Sequence, residues 1–175
     1  LPVAAGFYTH SEFASSESAD ATADVGEDHL GLRHTNQTIC EAGYYCLRDG
    51  RRYVCPSGRY GSSAGETSPL CTSACEAGYY CPPGSTSARE NACGGADVFC
   101  PEGSQLPRPV QEGYYTVQGA GMFGDYNGPS DIRAYERKCE PGFYCLAGEK
   151  HLCRPGHFGS DFRMVTSDCT GACDE

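Results

Sequence analysis

The 13 cysteines of this chain are the residues whose type and number could do chemistry. They could form disulfides, bind a metal as thiolates, or supply a nucleophile. Zinc sites use close pairs such as C-x2-C, or histidines at set distances from them. The chain has no C-x2-C pair with which its five histidines could complete such a site. The cysteines therefore predict disulfides and an oxidising, extracellular compartment.

The other residues do not predict a catalytic centre. Glycine-rich stretches lack the Lys-Ser/Thr of a phosphate loop. Small disulfide modules offer little of the concave apolar volume that active sites favour. We expect that the chain is not an enzyme and that it needs no metal and no cofactor.

Composition and charge restrict the partners. The hydrophobic share is 39% with no tryptophan, too little aliphatic material for one large core. The formal net charge of −10 disfavours nucleic acid and anionic lipid as partners. We expect no membrane span, because no apolar run is long enough to cross a bilayer. The first residue is not a methionine, and no signal-peptide pattern follows it, so either a signal was cleaved or the chain is an internal window of a longer protein. The repeats described next favour the window.

The cysteines recur with a period of about one hundred residues. The residues between them recur as well: Glu41 to Tyr45 matches Glu140 to Tyr144, and Gly58 to Ser62 matches Gly156 to Ser160. A shorter repeat lies inside the long one, since Cys75 to Cys81 repeats Cys40 to Cys46. The recurring cysteines are Cys40, Cys46, Cys55, Cys71 and Cys75, then Cys139, Cys145, Cys153, Cys169 and Cys173.

These repeats predict a string of small units. Residues 1–39 end a preceding repeat and contain an acidic insert rich in Ser and Ala. Residues 40–74 form one cysteine-rich sub-unit, 75–138 a second with a linker, and 139–175 a third that repeats the first. Twelve cysteines fill three sets of four. Cys173 is then unpaired within the chain, as the first cysteine of a next sub-unit whose partner lies beyond Glu175.

At this point the motifs resemble a known family. C-x5-C, then C-P-x-G-x-Y-G, then C-x3-C-x2-G-Y-Y-C-P-x-G-S is similar to the ephrin-receptor-like cysteine-rich repeats (GCC2 and GCC3). The longer succession Cys93-Gly94-Gly95, Phe99 to Ser104, and Gly113 to Thr116 resembles very large tandem-repeat surface proteins of protists, of the oomycete, stramenopile or ciliate type. The resemblance implies a small, disulfide-rich, mostly β or irregular fold. It would be an elongated tandem array of cysteine-rich modules with short hairpins. These modules would be similar to epidermal-growth-factor-like modules and to the modules of tumour-necrosis-factor receptors.

Four cysteines allow three pairings, and two of them stay open. The sequential pairing (Cys40–Cys46 with Cys55–Cys71) is plausible because five residues can close a small loop. Resemblance to the interlocked start of epidermal-growth-factor-like modules favours first with third and second with fourth. That choice gives Cys40–Cys55, Cys46–Cys71, Cys75–Cys93, Cys81–Cys100, Cys139–Cys153 and Cys145–Cys169.

Each Gly-aromatic-Tyr step predicts a turn followed by a packing anchor. We interpret the recurring aromatic residues as contacts that stack one unit on the next, rather than as an exposed binding ladder. Turns are expected at the Pro-x-Gly steps after Cys55, Cys81 and Cys100, and edge strands at 35–40 and 132–139. The stacking aromatic residues are Tyr44, Tyr45, Tyr79, Tyr80, Tyr114, Tyr115, Phe143 and Tyr144.

Asn36-Gln37-Thr38 is an N-glycosylation sequon, and the insert's Ser and Thr are candidates for O-linked sugar. The acidic insert 11–28 is interpreted as a solvated loop, with weak calcium binding as the lesser alternative because no EF-hand loop is present. Residues 125–128 predict a turn.

These features predict a structural segment of an extracellular glycoprotein filament, surface appendage (mastigoneme-like) or cell-wall or matrix layer. Its partners would be adjacent repeats or neighbouring copies of itself. The alternative is a ligand-binding or adhesion module of a receptor-like surface protein, using the acidic insert or the face around Met122 and Phe123.

Overall fold

A computed structural model describes residues 2–11, 34–118 and 131–174. In these ranges the secondary structure is sixteen short strands paired into eight antiparallel hairpins, without a helix. The expectation of a small, disulfide-rich, mostly β and irregular fold is confirmed at that level. We number the hairpins 1 to 8 in chain order. Their strands are β1 Phe7–Ser11 and β2 His34–Ile39; β3 Tyr44–Cys46 and β4 Arg52–Val54; β5 Arg59–Tyr60 and β6 Ser73–Ala74; β7 Tyr79–Tyr80 and β8 Asn91–Ala92; β9 Val98–Phe99 and β10 Arg108–Pro109; β11 Tyr114–Val117 and β12 Tyr135–Lys138; β13 Phe143–Leu146 and β14 Glu149–Leu152; and β15 His157–Phe158 and β16 Gly171–Ala172.

All eight hairpins have the same local design. The residue before the first strand, which we call the lead residue, is glycine in seven of them and Asp97 in hairpin 5. Each lead glycine has a positive φ, between 75° and 90°, a conformation that glycine adopts without steric cost. The residue after the second strand, the closing residue, donates its backbone N–H to the lead residue's carbonyl. These bonds are Cys40 to Gly6, Cys55 to Gly43, Cys75 to Gly58, Cys93 to Gly78, Val110 to Asp97, Cys139 to Gly113, Cys153 to Gly142 and Cys173 to Gly156.

The predicted turns and edge strands are confirmed. Turns occur at 57–58, 83–84 and 102–103, within the three Pro-x-Gly steps. Two of these turns continue into a serine, and the hydroxyls of Ser85 and Ser104 donate to the carbonyls of Pro82 and Pro101 at 2.8 and 2.7 Å. Both serines are buried, so this bond satisfies a hydroxyl that would otherwise destabilise the turn. The strands predicted at 35–40 and 132–139 are β2 and β12.

Twelve of the 13 cysteines form six disulfides, with Cα–Cα distances between 5.7 and 6.1 Å, and Cys173 is free and exposed. In every bond a closing cysteine is joined to the hairpin that follows it. Six disulfides indicate an oxidising environment. The bonds are Cys40–Cys46, Cys55–Cys71, Cys75–Cys81, Cys93–Cys100, Cys139–Cys145 and Cys153–Cys169.

The interlocked pairing favoured by the resemblance is therefore wrong. The physical reason is the turn between hairpins: Cys40 closes hairpin 1, and the Glu41–Tyr45 segment turns the chain so that Cys46 lies beside it. Cys55 follows the second strand of hairpin 2 and donates its N–H to Gly43, so it lies at the opposite end of this hairpin from Cys46. The six incorrect pairs are Cys40–Cys55, Cys46–Cys71, Cys75–Cys93, Cys81–Cys100, Cys139–Cys153 and Cys145–Cys169.

Half-cystines make up most of the buried apolar material. Ten of the thirteen buried apolar side chains in the described ranges are disulfide-bonded cysteines. The exceptions are Tyr115, Val117 and Ala134, all in hairpin 6. Tyr115 and Val117 pack with Cys139, Cys145 and the half-buried Phe143 in one small cluster. No helix among the described residues is long and apolar enough to cross a membrane.

Candidate functional site

The contacts between hairpins form the site that recurs along the chain. Its first component is a backbone hydrogen bond across each of the seven junctions between consecutive hairpins. The residue three positions after each lead residue donates its N–H to a carbonyl in the next hairpin's turn. These bonds, 2.7–3.0 Å long, are Thr9 to Gly50, Cys46 to Glu66, Gly61 to Ser85, Cys81 to Ser104, Cys100 to Arg133, Thr116 to Gly148 and Cys145 to Met164.

A second bond reinforces five of these junctions. Here the lead glycine donates its own N–H to the residue three positions after the next lead residue, at 2.7–3.1 Å. A positive φ directs the N–H of the lead glycine out of its own hairpin and toward the next one. The bond across the junction therefore requires a backbone conformation that glycine adopts without steric cost. The bonds are Gly6 to Cys46, Gly43 to Gly61, Gly58 to Cys81, Gly78 to Cys100 and Gly142 to Gly159.

Four hairpins are also bonded to the hairpin two positions further along the chain. Gly84 in hairpin 4 donates to the carbonyl of Cys55, which closes hairpin 2, at 2.9 Å. The corresponding donors Gly65, Gly103 and Arg163 bind the carbonyls of Cys40, Cys75 and Cys139 at 2.7–2.9 Å. Hairpins 1, 2, 3 and 6 are therefore bonded to both of the next two hairpins along the chain.

Lead glycines lie where this second contact leaves no room for a side chain. A Cβ on Gly43 or Gly58 would come closer than 3.0 Å to the carbonyl oxygen of Gly84 or Gly103. A Cβ on Gly6 would be 2.7 Å from the Gly65 oxygen. Glycine is thus required at these positions both by φ and by the close approach of another backbone.

A charged cluster joins hairpins 1 and 2. Arg52 binds both carboxylate oxygens of Glu41 at 3.1 Å, and the Tyr8 hydroxyl donates to Glu41 at 3.0 Å. The Arg52 guanidinium lies 4.4 Å from the centre of the Tyr44 ring and 5.2 Å from that of Tyr8, a cation–π arrangement. The backbone amide of Glu41 itself, followed by Arg52 and Tyr8, lowers the pKa of the Glu41 carboxyl. The hydrogen bond to Glu41 raises the pKa of the Tyr8 hydroxyl.

The same cluster recurs between hairpins 6 and 7. Tyr115 donates its hydroxyl to Glu140 at 2.7 Å, and Lys150 lies 3.7 Å from the Glu140 carboxylate. The Lys150 ammonium is 4.5 Å from the Tyr115 ring centre and 5.0 Å from that of Phe143. Sequence alignment matches Glu140 with Glu41 and Phe143 with Tyr44, so one arrangement occupies equivalent positions about one hundred residues apart.

Hairpin 4 carries a smaller version of the cluster. Arg89 binds both oxygens of Glu76, at 2.6 and 2.8 Å, and lies 5.9 Å from the Tyr79 ring centre. The Arg89 hydrogen bond lowers the pKa of the Glu76 carboxyl, and in return Glu76 raises the pKa of the Arg89 guanidinium. Both side chains are largely exposed, so the pair orients the hairpin surface more than it stabilises the fold.

The predicted aromatic residues lie at these contacts to different extents. Tyr115 is 1% exposed and belongs to the apolar cluster, while the other seven are half-buried. Tyr44, Tyr79, Tyr114, Tyr115 and Phe143 contact cationic side chains. Tyr45 stacks on Tyr53 and Tyr144 on His151 within their own hairpins. Of these eight, Tyr114 and Tyr115 have ring contacts with a cationic side chain of another hairpin in the described part of the chain, as does Tyr8.

Other predicted positions are located or lie outside the described ranges. Asn36 is exposed on β2, opposite His10. Residues 12–28 of the acidic insert, the turn at 125–128 and the Met122–Phe123 face lie outside the described residues. Within residues 2–11, 34–118 and 131–174, His, Cys, Asp and Glu form no group of three or more that could hold a metal ion.

Sequence reasoning missed two features. The first is the role of the acidic residue after the closing cysteine, signalled by its recurrence as Glu41, Glu76 and Glu140. The second is that 61–65 fits the G-x-S-x-G pattern of a nucleophile elbow, which requires a strand, a sharp turn and a helix. In the structure this segment joins β5 to β6, no helix follows it, and Ser63 is exposed.

The chain was compared with protein-family models and with curated proteins, and it matches none of them. The repeated junction, with its lead glycine, disulfide, backbone bonds and charged cluster, is therefore the basis on which function is inferred.

Proposed function

We propose that this chain is a structural segment of an extracellular glycoprotein assembly, a filament, surface appendage or matrix layer, built as a tandem array of stacked hairpins. The observation that carries the proposal is the pattern of bonding: a backbone hydrogen bond crosses each of the seven junctions, and hairpins 1, 2, 3 and 6 are also bonded to the hairpin two positions further along. No catalytic step is part of this function.

Such hairpins depend on their neighbours for stability. A two-stranded hairpin is marginally stable at best in water, and most strands here have only two to four residues. The lead glycines of hairpins 1 to 4 and the disulfides that join hairpins 1 to 5 are buried, as Gly58 is against Gly103 two hairpins away. An array in which each hairpin contacts only its near neighbours extends in one dimension, as repeat proteins do, and this geometry suits a rod or fibre.

The disulfides link successive hairpins along the array. Each bond joins a closing cysteine to the following hairpin, so the links run from unit to unit rather than within a closed knot. Each contributes roughly 2–4 kcal/mol by restricting the unfolded chain. A covalent ladder of this kind suits a protein exposed to proteases outside the cell, and N-linked sugar on the exposed Asn36 would add to that protection.

Electron microscopy of the native extracellular material, labelled with an antibody against this chain, tests the proposal. We expect labelled filaments or sheets with an axial spacing related to the hundred-residue repeat. Isolated strings that do not change with concentration and that bind a partner saturably would contradict it and support the adhesion alternative.

Small-angle scattering on the purified chain tests the elongated array separately. A compact protein of this length has a radius of gyration of about 16 Å. The array is expected to exceed that value clearly, with a long tail in the pair-distance distribution. A value near the compact limit would contradict the array itself.

A further inference from the structure

Hairpins 7 and 8 expose a surface that the equivalent hairpins 2 and 3 bury. Cys55 is fully buried, whereas its counterpart Cys153 is half-buried. Gly58 is buried but Gly156 is exposed, and the closing Cys75 is buried while Cys173 is exposed. We call the surface formed by Gly142, Cys153, Gly156, Gly159 and Cys173 the open face.

Backbone groups of the open face lack the bonds that their counterparts make. Gly58 and Gly61 donate to the carbonyls of Cys81 and Ser85 in hairpin 4, and the Cys55 carbonyl accepts from Gly84. No described residue provides such a backbone partner for the N–H groups of Gly156 and Gly159 or for the Cys153 carbonyl. A Cβ on Gly142 or Gly156 would meet nothing within 4 Å, whereas Gly43 and Gly58 are blocked by Gly84 and Gly103.

The geometry points to one occupant for this face: a β-hairpin with the chemistry of residues 78–85, Gly-aromatic-Tyr-Cys-Pro-x-Gly-Ser. Its first strand would offer a cysteine carbonyl to Gly156 and its turn a serine carbonyl to Gly159. The glycine of its Pro-x-Gly turn would donate to Cys153 and pass against Gly142. This inference rests on the proposed function, since it names the partner that the stacked array takes.

Two side chains identify the occupant further. Cys173 has the position of Cys75, which bonds to the cysteine six residues later, directly after the first strand of the next hairpin. Asp174 has the position of Glu76, the acidic partner of Arg89. The occupant is thus expected to carry a cysteine that oxidises with Cys173, two thiols losing two electrons and two protons to the oxidising redox buffer. It would also carry a cation on its second strand.

A grafted extension tests the inference on the full chain. Residues 78–104 are appended after Glu175, so that Cys173, Asp174 and Glu175 replace Cys75, Glu76 and Ala77. The appended copy of Cys81 then lies six residues after Cys173. After folding in a glutathione redox buffer, we expect a disulfide between these two cysteines and at least about tenfold slower hydrogen exchange at the Gly156 and Gly159 amides.

The matched control carries valine at the position of the appended chain that copies Gly84. Gly84 has φ +82° and contributes the close backbone contact. The control is expected to form the disulfide but lose the amide protection, which separates docking from tethering. Equal protection in both extensions would overturn the inference, as would a Cys173 thiol that stays free.

Two further results bear on the occupant. Concentration-dependent protection of the same amides in the unextended chain would mean that a second copy fills the face, and this also overturns the inference. The filament proposal fails separately, by microscopy, since an adhesion protein could be built from the same stacked hairpins.

Discussion

Replacing Gly58 by alanine probes the contact between hairpins 3 and 5, and the chain contains its own control. Gly58 has φ +79° and its Cβ would overlap the carbonyl oxygen of Gly103. Gly156, the equivalent residue of hairpin 8, has φ +78°, but its Cβ would meet nothing within 4 Å. Both substitutions carry the same backbone strain, and only Gly58→Ala disturbs the stacking contact.

The two costs follow from the structure. An alanine in the left-handed region costs roughly 1–2 kcal/mol, which applies to both variants. In Gly58→Ala the Gly103 turn must also move away. That movement weakens the 2.8 Å bonds from Gly103 to Cys75 and from Gly58 to Cys81. Each such bond contributes about 1 kcal/mol net, so Gly58→Ala should cost about 3–4 kcal/mol in total.

Hydrogen exchange on the oxidised chain measures the difference residue by residue. Since about 1.4 kcal/mol corresponds to tenfold, the extra 2 kcal/mol predicts roughly a thirtyfold greater loss of protection in Gly58→Ala than in Gly156→Ala. The loss should be largest at the amides that donate the two weakened bonds, those of Gly103 and of residue 58. Equal losses in the two variants would refute the claim that alternate hairpins stack through their lead glycines.

Three further predictions concern covalent structure, pH and sugar. A non-reduced tryptic digest should release peptide 34–48 as a single cyclised species, whereas interlocked pairing would keep it attached to peptide 53–59. Because Arg89 lowers the pKa of Glu76, their contact stabilises the fold above the usual glutamate pKa near 4.5 and is lost as pH falls through the lowered value. The urea midpoint of the native chain should therefore fall more between pH 6 and pH 3 than that of Arg89→Met, and identical falls would exclude this contribution. When a eukaryotic secretory cell makes the chain, enzymatic deglycosylation should lower its mass, and Asn36→Gln should abolish that shift.

The sequence was sufficient to predict the starts of the hairpins because their determinants are local. The residue two positions after each lead residue is aromatic, whereas the closing residue follows the lead residue at a distance that varies from 11 to 34 residues. The Pro-x-Gly turns after Cys55, Cys81 and Cys100 were predicted for the same reason, since proline and glycine restrict the backbone where they stand. Strands β2 and β12 followed from their places before Cys40 and Cys139.

The pairing and the stacking depend on distances through space, which spacing does not determine. Cys40 is six residues from Cys46 and fifteen from Cys55, and both loops can close without strain. The turn at Gly43 decides between them, because it brings Cys46 beside Cys40 and leaves Cys55 at the other end of the hairpin. The approach of Gly84 to Gly43 joins residues 41 apart, and the sequence shows only that both are glycine.

Sequential pairing leaves one junction between consecutive hairpins without a disulfide. The one cluster of buried apolar side chains in the described ranges does not replace it, because Tyr115 and Val117 pack with Cys139, Cys145 and Phe143, between hairpins 6 and 7. Disulfides join hairpins 1 to 5 in succession and hairpins 6 to 8, but hairpin 5 closes with Val110, so no disulfide among the described residues crosses from hairpin 5 to hairpin 6.

Buried hydrogen bonds reinforce the same place. Arg133, 4% exposed, donates to the carbonyl of Thr116 at 3.0 Å, and its own carbonyl accepts from Cys100 at 2.7 Å. The buried Thr116 hydroxyl donates to Ala96 in hairpin 5 at 2.7 Å. Removing either partner would leave a buried polar group unsatisfied, which costs more than an exposed bond contributes. Buried hydrogen bonds therefore connect hairpins 5 and 6 at the junction that lacks a disulfide.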